Sequence, residues 1–499
     1  MSQAAIRRFR CDNWDDTMSD VELCYKPAVE VLELFREKQL SPVELLDALI
    51  ARAERVEPIV NAFASTYYDS AMAAARAAEA RYQAGGDPSR PLDGLPVAAK
   101  SDGESAVEGT ISSDGCSWLT DNVDDHTNPS MERLLTAGAV VFARTAMPEM
   151  GWTWTCHTKV HGVTRNPWNP KYSPGGSSAG SAASVVSGTS TVAMGTDALG
   201  SLRVPSAMCG AVTFKAPYGR NPLHPEVCFD FFNHIGPITR TVGDAALVQN
   251  TISGQHPLDH TTVPQQMVIP AELPDIRGMR IAYCVDLGYF PVTDEVRRET
   301  LAALDALRAA GARVEEVEMP WAEQIIRLGS RYTDLVYMDM FDAAIRDHPD
   351  EINDYTRFYF ECAESVDPRE IGETLELAGV IWAKHFGPLL QRYDALITPT
   401  LAFHEVLAEN QPWEESITVR GKSYNDHDGV MTALFSIFSR CPVLALPSGF
   451  TDSGLPTGIQ VAGRPFDDIT VFRIGAALER HRPWLDVPER RPSIDVRIS

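Results

Sequence analysis

Residues 175–219 read GGSSAGSAASVVSGTSTVAMGTDALGSLRVPSAMCGAVTFKAPYG and stand apart from the rest of the 499-residue chain. Its first part, Ser173-Pro174-Gly175-Gly176-Ser177-Ser178-Ala179-Gly180-Ser181, is built from small residues. Such residues let backbone approach a ligand closely and adopt torsions that larger residues refuse. A flexible linker has the same composition, so the question is which chemistry the pattern admits. A phosphate loop needs Lys-Ser or Lys-Thr after its last glycine, and none follows here. Gly176-Ser177-Ser178-Ala179-Gly180 matches the nucleophile-elbow pattern with Ser178 at its centre. That elbow needs a strand leading straight into it, and Lys171-Tyr172-Ser173-Pro174 makes a poor one.

Outward from this centre the chain alternates strand and helix. Upstream, Val97-Ala98-Ala99 reads as a buried strand ending at Lys100. Residues 131–137 read as a short helix, broken by Gly138 before the apolar strand 139–143. The unit recurs as strand 280–283, helix 294–310, Gly311 and strand 312–318. Residues 393–400 and 442–447 return to strand. Strands with little polar alternation, separated by helices, imply a sheet covered on both faces. The fold class is α/β. Residues 27–84 read as helices: Ser41-Pro42-Val43-Glu44 is a capping box with proline at the first helical position. Behind it, Leu45, Leu46, Leu49, Ile50 and Ala53 mark one apolar face. A second, alanine-rich helix spans 70–84 and stops at Gly85-Gly86-Asp87-Pro88. The chain thus divides into a helical N-terminal segment, 1–84, packing on a larger α/β domain, 85–490. Within the latter, 320–390 is helix-rich, as a cap or insertion would be.

Lys plus Arg number 44 against 68 Asp plus Glu, a formal net charge of −24. Phosphate attraction becomes repulsion at that charge, so nucleic acid and anionic membranes are excluded as partners. The acidic surface serves solubility. Nine scattered cysteines without a Cys-x-x-Cys pair fit neither a zinc ribbon nor a disulfide framework. Reduced cytoplasmic thiols are the economical reading. The start, MSQAAIRRFRCDNWDD, turns acidic where a signal peptide would be apolar. No uninterrupted apolar window is long enough to span a bilayer.

Over its whole length, 175–219 resembles the amidase signature family. That family includes bacterial and fungal amidases, fatty-acid amide hydrolase and the A subunit of the glutamyl-tRNA amidotransferase. Flanking likenesses are Gly94-Leu95-Pro96-Val97-Ala98-Ala99-Lys100, Thr164-Arg165-Asn166-Pro167-Trp168-Asn169 and Gly454-Leu455-Pro456-Thr457-Gly458-Ile459-Gln460. The likeness runs over roughly residues 40–485. It implies the amidase signature fold, a central mixed β-sheet with helices on both faces, and hydrolysis of a carboxamide, carbamate or ester. The resemblance places the nucleophile at Ser201, a bridging serine at Ser177 and the base at Lys100. It also implies a cis peptide bond before Ser177.

A serine hydroxyl is a weak nucleophile at neutral pH and must pass its proton to a neighbour. Here Ser177 would take it and hand its own to Lys100, then reverse the flow to protonate the leaving amine. Lysine titrates at about 10.4 in water, so the base must be made neutral by its surroundings. The resemblance implies an oxyanion hole from the N–H groups of Ala198, Leu199, Gly200 and Ser201. Backbone donors suit that task because they are rigid and do not titrate. By analogy Ser178, Asp197 and Arg203 support the site, the last two holding the loop's shape. The family usually has two glycines before the nucleophile, where this chain has Leu199-Gly200. Its lysine is usually followed by aspartate, where this chain has Ser101 and then Asp102.

Met150, Trp152 and Trp154 are either core packing or an apolar substrate wall. His157 and His161 are spaced to share a helix face as metal ligands, but the surrounding Gly162 and Asn166-Pro167 suggest a loop. The expectation is no metal and no cofactor. A small-molecule amide is the expected substrate, and a homodimer stays open. The rival reading is an amidotransferase A-type subunit releasing ammonia from glutamine with partner subunits. The triad serves both; the aromatic stretch 355–360 favours the free-standing hydrolase.

Overall fold

Helix starts follow local chemistry. In the computed structural model, which describes residues 20–87 and 89–494, the Ser41 hydroxyl accepts the Val43 N–H at 3.0 Å. The Glu44 carboxylate in turn accepts the Ser41 N–H at 3.0 Å, closing the capping box of helix Pro42–Val60. Leu45, Leu46, Leu49 and Ala53 are buried on its inner face, with Ile50 half-buried beside them. The alanine-rich helix is Tyr68–Gln83. The sequence reading of residues 1–16, and Cys11, lie outside the described residues.

Helix throughout 27–84 is corrected by one element. Phe63–Thr66 is a strand (β1), entered after Asn61 turns the chain at φ 54°. It pairs antiparallel with Val140–Thr145 (β3), and the Phe63 ring meets the Phe142 ring edge-on at 5.8 Å. Phe63 and Thr66 favour a strand, but four residues are too short a run to read locally, and a partner nearly eighty residues away decided this conformation.

One sheet of eleven strands organises the molecule. Besides β1 and β3 it contains Pro96–Lys100 (β2), Val192–Asp197 (β4), Val212–Lys215 (β5) and His234–Thr239 (β6). Its far half contains Arg280–Tyr283 (β7), Arg313–Glu316 (β8), Ala395–Pro399 (β9), Val443–Phe450 (β10) and Pro456–Gly463 (β11). The order is β1-β3-β2-β4-β6-β5-β10-β11-β9-β7-β8. Strand β2 runs parallel to β3 and β4, and β7 parallel to β8 and β9; the other neighbours are antiparallel. Every residue of β2, β4, β6 and β11 is buried. Successive strand residues face opposite sides, so this sheet is covered on both faces.

Two consequences position the site. Strands β2 and β4 are parallel neighbours in the register Ala99↔Met194, so their carboxyl ends, Lys100 and Asp197, emerge at the same edge. That edge is where open α/β sheets place ligands. Between β8 and β9 the chain leaves the sheet for helices Ala322–Asp347, Asp354–Glu364, Glu370–Ile381 and Gly387–Arg392. They account for the helix-like patterning of 320–390.

Candidate active site

Lys100 ends β2, and its buried Nζ donates to Ser177 Oγ at 2.8 Å and to Thr196 Oγ1 at 2.7 Å. Ser177 precedes helix Ala179–Ser187, and the Gly176–Ser177 peptide is cis. Gly176 is demanded by close approach: a Cβ there would stand 2.5 Å from the Thr153 carbonyl oxygen. Ser201 follows β4 in the turn before helix Arg203–Cys209. The two segments are tied by Ser178, whose N–H donates to the Ser201 carbonyl at 3.1 Å. Ser178 Oγ, fully buried, donates to the Thr196 carbonyl at 3.2 Å. A hydroxyl so committed is no exposed elbow nucleophile, and no strand runs into Ser178. Lys100, Ser177 and Ser201 line one cavity of about 1310 Å³.

Asp102 lies beside them with Oδ2 3.1 Å from Lys100 Nζ. The same oxygen accepts the Thr196 hydroxyl at 2.8 Å, while Oδ1 accepts the Ser105 N–H at 2.9 Å. Burial pushes this carboxyl up, but the Lys100 charge and these hydrogen bonds outweigh it and hold the group below the usual carboxylate range. Strand β2 ends at Lys100, and the chain bends at Ser101 and Asp102. That bend carries the Asp102 side chain back to Lys100. Glu104, also on the cavity wall, accepts the Asn233 amide N–H at 2.7 Å. Burial, and secondarily the negative charge of Asp102, raise it to about 8.

Asp197 and Arg203 form a fully buried bidentate pair, with both contacts at 2.9 Å. Burial would raise the Asp197 carboxyl, yet Arg203 holds it low. Arg203 donates further to the Thr432 carbonyl at 2.8 Å and to Ser436 Oγ at 2.9 Å. Neither residue is a surface charge; they clamp the ends of the 198–202 turn. Leu199 lines the cavity and packs against the main hydrophobic core, with no positive φ. Gly200 sits at φ 150°, so it is the second glycine of the family pair whose torsion this loop needs.

Met150, Trp152 and Trp154 all line the cavity. The Trp152 and Tyr359 rings stack at 5.9 Å, and the Trp154 and His427 rings lie 5.7 Å apart. Of the aromatic stretch, Tyr359 reaches the cavity; Tyr355 is buried, donating to the His157 carbonyl at 3.0 Å. His157 and His161 sit on a small hairpin instead of a helix face. His157 Nε2 lies 3.3 Å from the Asn410 carbonyl, and His161 Nε2 3.0 Å from Ser113 Oγ. Among the described residues no group of three or more His, Cys, Asp or Glu could hold a metal ion. No helix among them is long and apolar enough to cross a membrane. Cys116, Cys156, Cys209, Cys228, Cys284, Cys362 and Cys441 are free.

Sequence reasoning missed Thr196, which bridges Lys100 and Asp102. Its one signal was position: it precedes Asp197 at the carboxyl end of the strand beside the one that carries Lys100.

Comparison with known proteins places the chain among hydrolases of carbon–nitrogen bonds other than peptide bonds. The chain belongs to the amidase family, whose family model matches residues 44–472. It is 31% identical to an acylamidase from Rhodococcus erythropolis over 94% of this chain and 98% of that protein. It is also 31% identical to the A subunit of the glutamyl-tRNA(Gln) amidotransferase from Chloroflexus aggregans, over 91% and 96%. Among solved structures, a bacterial aryl acylamidase of the amidase signature family superimposes with a TM-score of 0.85 at 28% identity. That match covers 94% of this chain and 99% of the other.

Proposed function

We propose that the chain is a free-standing serine amidohydrolase acting on aryl or other apolar acyl amides. The carrying observation is the 2.8 Å contact between Lys100 Nζ and Ser177 Oγ in the cavity that Ser201 shares. In acylation Ser201 Oγ bonds to the substrate carbonyl carbon and releases its proton to Ser177, whose own proton passes to Lys100. The tetrahedral oxyanion is met by the N–H groups of the 198–201 turn. Its collapse breaks the C–N bond as the relay returns a proton to the departing amine. Water then attacks the ester on Ser201 through the same relay and frees the acid. Asp102 and Thr196 hold Lys100 in reach of Ser177 during both half-reactions.

Trp152, Trp154 and Tyr359 supply the apolar wall for the substrate, and the helices of 320–390 act as the cap above it. The likeness to acylamidases supports this over the amidotransferase reading, which needs partner subunits. The free thiols of Cys116, Cys156, Cys209, Cys228, Cys284, Cys362 and Cys441 support residence in the reducing cytoplasm. The test incubates the purified chain alone with 4-nitroacetanilide, fatty amides, carbamates and glutamine. Aryl amide turnover lost in Ser201→Ala, with a fluorophosphonate probe on Ser201, is expected. Turnover of glutamine alone, or labelling at Ser178, would overturn it.

A further inference from the structure

Two carbonyls of the 197–199 segment are held by side chains from elsewhere in the chain. Thr432, fully buried beside the short helix Ala433–Ile437, donates its hydroxyl to the Leu199 carbonyl. His234 of β6 places Nδ1 3.1 Å from the Asp197 carbonyl and 2.6 Å from that of Phe232. Carbonyls only accept, so Nδ1 carries the proton, and Nε2 is left to accept from Lys215 Nζ at 3.3 Å.

In a trans peptide the C=O and the following N–H point opposite ways. Holding the Asp197 carbonyl on His234 turns the Ala198 N–H away from it. Holding the Leu199 carbonyl on Thr432 likewise turns the Gly200 N–H away from Thr432. The Gly200 carbonyl accepts the Val204 N–H at 2.7 Å, which aims the Ser201 N–H out of the N-terminal end of helix Arg203–Cys209. Among the described residues, none of these three N–H groups has an acceptor within the protein. Ala198 and Ser201 both line the cavity. Thr432 is also why position 200 is glycine: a Cβ there would meet its hydroxyl and stand 2.9 Å from its Cβ.

We infer that Thr432 is a positioning residue that orients the oxyanion donors through the Leu199 carbonyl, with His234 as a second anchor at the Asp197 carbonyl. This rests on the reading of Ser201 as nucleophile. The test compares Thr432→Val, which keeps the shape and loses the donor, with Thr432→Ser, which keeps the donor. Readouts are kcat and KM on 4-nitroacetanilide, the rate of fluorophosphonate labelling, and Tm.

Thr432→Val should lower kcat and the labelling rate together by roughly 10- to 100-fold, short of the ~10²–10³ lost with a whole oxyanion donor. KM should stay within about threefold, the pattern of an interaction made in the transition state. Thr432→Ser should keep wild-type kcat within about threefold. A Val variant as fast as wild type, or one raising KM alone, overturns the inference. So does a Ser variant losing kcat by tenfold or more, on the order of a misplaced donor, and that result can be read even if the Val variant does not fold. If Ser201→Ala keeps its activity, the reading of the site fails instead, whatever Thr432 does.

Discussion

Lys100 and Asp102 meet at 3.1 Å in the protein interior, although the family pattern places the acidic residue next to the lysine in sequence. Strand β2 ends at Lys100, and the bend at Ser101 and Asp102 brings the carboxylate back to Nζ. Asp102→Asn keeps the shape, removes the charge facing Lys100 and weakens the Thr196 bridge. A charged hydrogen bond contributes about 1.5–3 kcal/mol, so kcat should fall by roughly ten- to hundredfold with KM little changed. Steady-state kinetics on an aryl amide checks this; an unchanged kcat would show that Asp102 does not position Lys100.

Arg203 is the clamp on the Asp197 end of the turn. Arg203→Met strands a carboxylate in the core, and breaking a buried pair costs about 3–5 kcal/mol. Urea unfolding should show that loss, and activity should vanish with it. A variant as stable as wild type would mean that Asp197 had found another partner.

Leu199 lines the cavity where glycine would leave space. Leu199→Gly should broaden the acyl groups accepted. The change in discrimination should be on the order of 1–3 kcal/mol, as for a methylene or two in an apolar pocket. Comparing kcat/KM of both forms across acetyl, butyryl and benzoyl amides measures it. Parallel profiles would assign Leu199 to packing alone.

Glu104 gives a pH signature. Burial, then the charge of Asp102, raise it from 4.5 to about 8. The folded state therefore keeps a proton that the unfolded chain has released. Its stabilising contribution is present below pH 4.5 and is lost as pH rises through about 8. Glu104→Gln cannot ionise, so its Tm should gain on wild type steadily across that window. A constant Tm difference from pH 5 to 8 would contradict the shift.

Much of the architecture was legible locally. The capping box at Ser41, the apolar run ending at Lys100 and the helix–glycine–strand unit from residue 280 are short-range signals, governed by periodicity and backbone torsion. The candidate triad was legible because its residues sit in one long motif and its flanks, where small residues permit close backbone approach. What stayed hidden depended on partners far along the chain. Strand β1 exists because β3 accepts it, and Phe63–Thr66 has no helix-breaking signal of its own. Thr196 acquires its part because β2 and β4 lie parallel and end together. Thr432 reaches the Leu199 carbonyl from 233 residues away. Sequence alone determined which side chains could do the chemistry, since nucleophilicity and basicity belong to residue types. The tertiary structure alone decided which polar groups hold them in place, because a hydrogen bond is set by distance and direction in space.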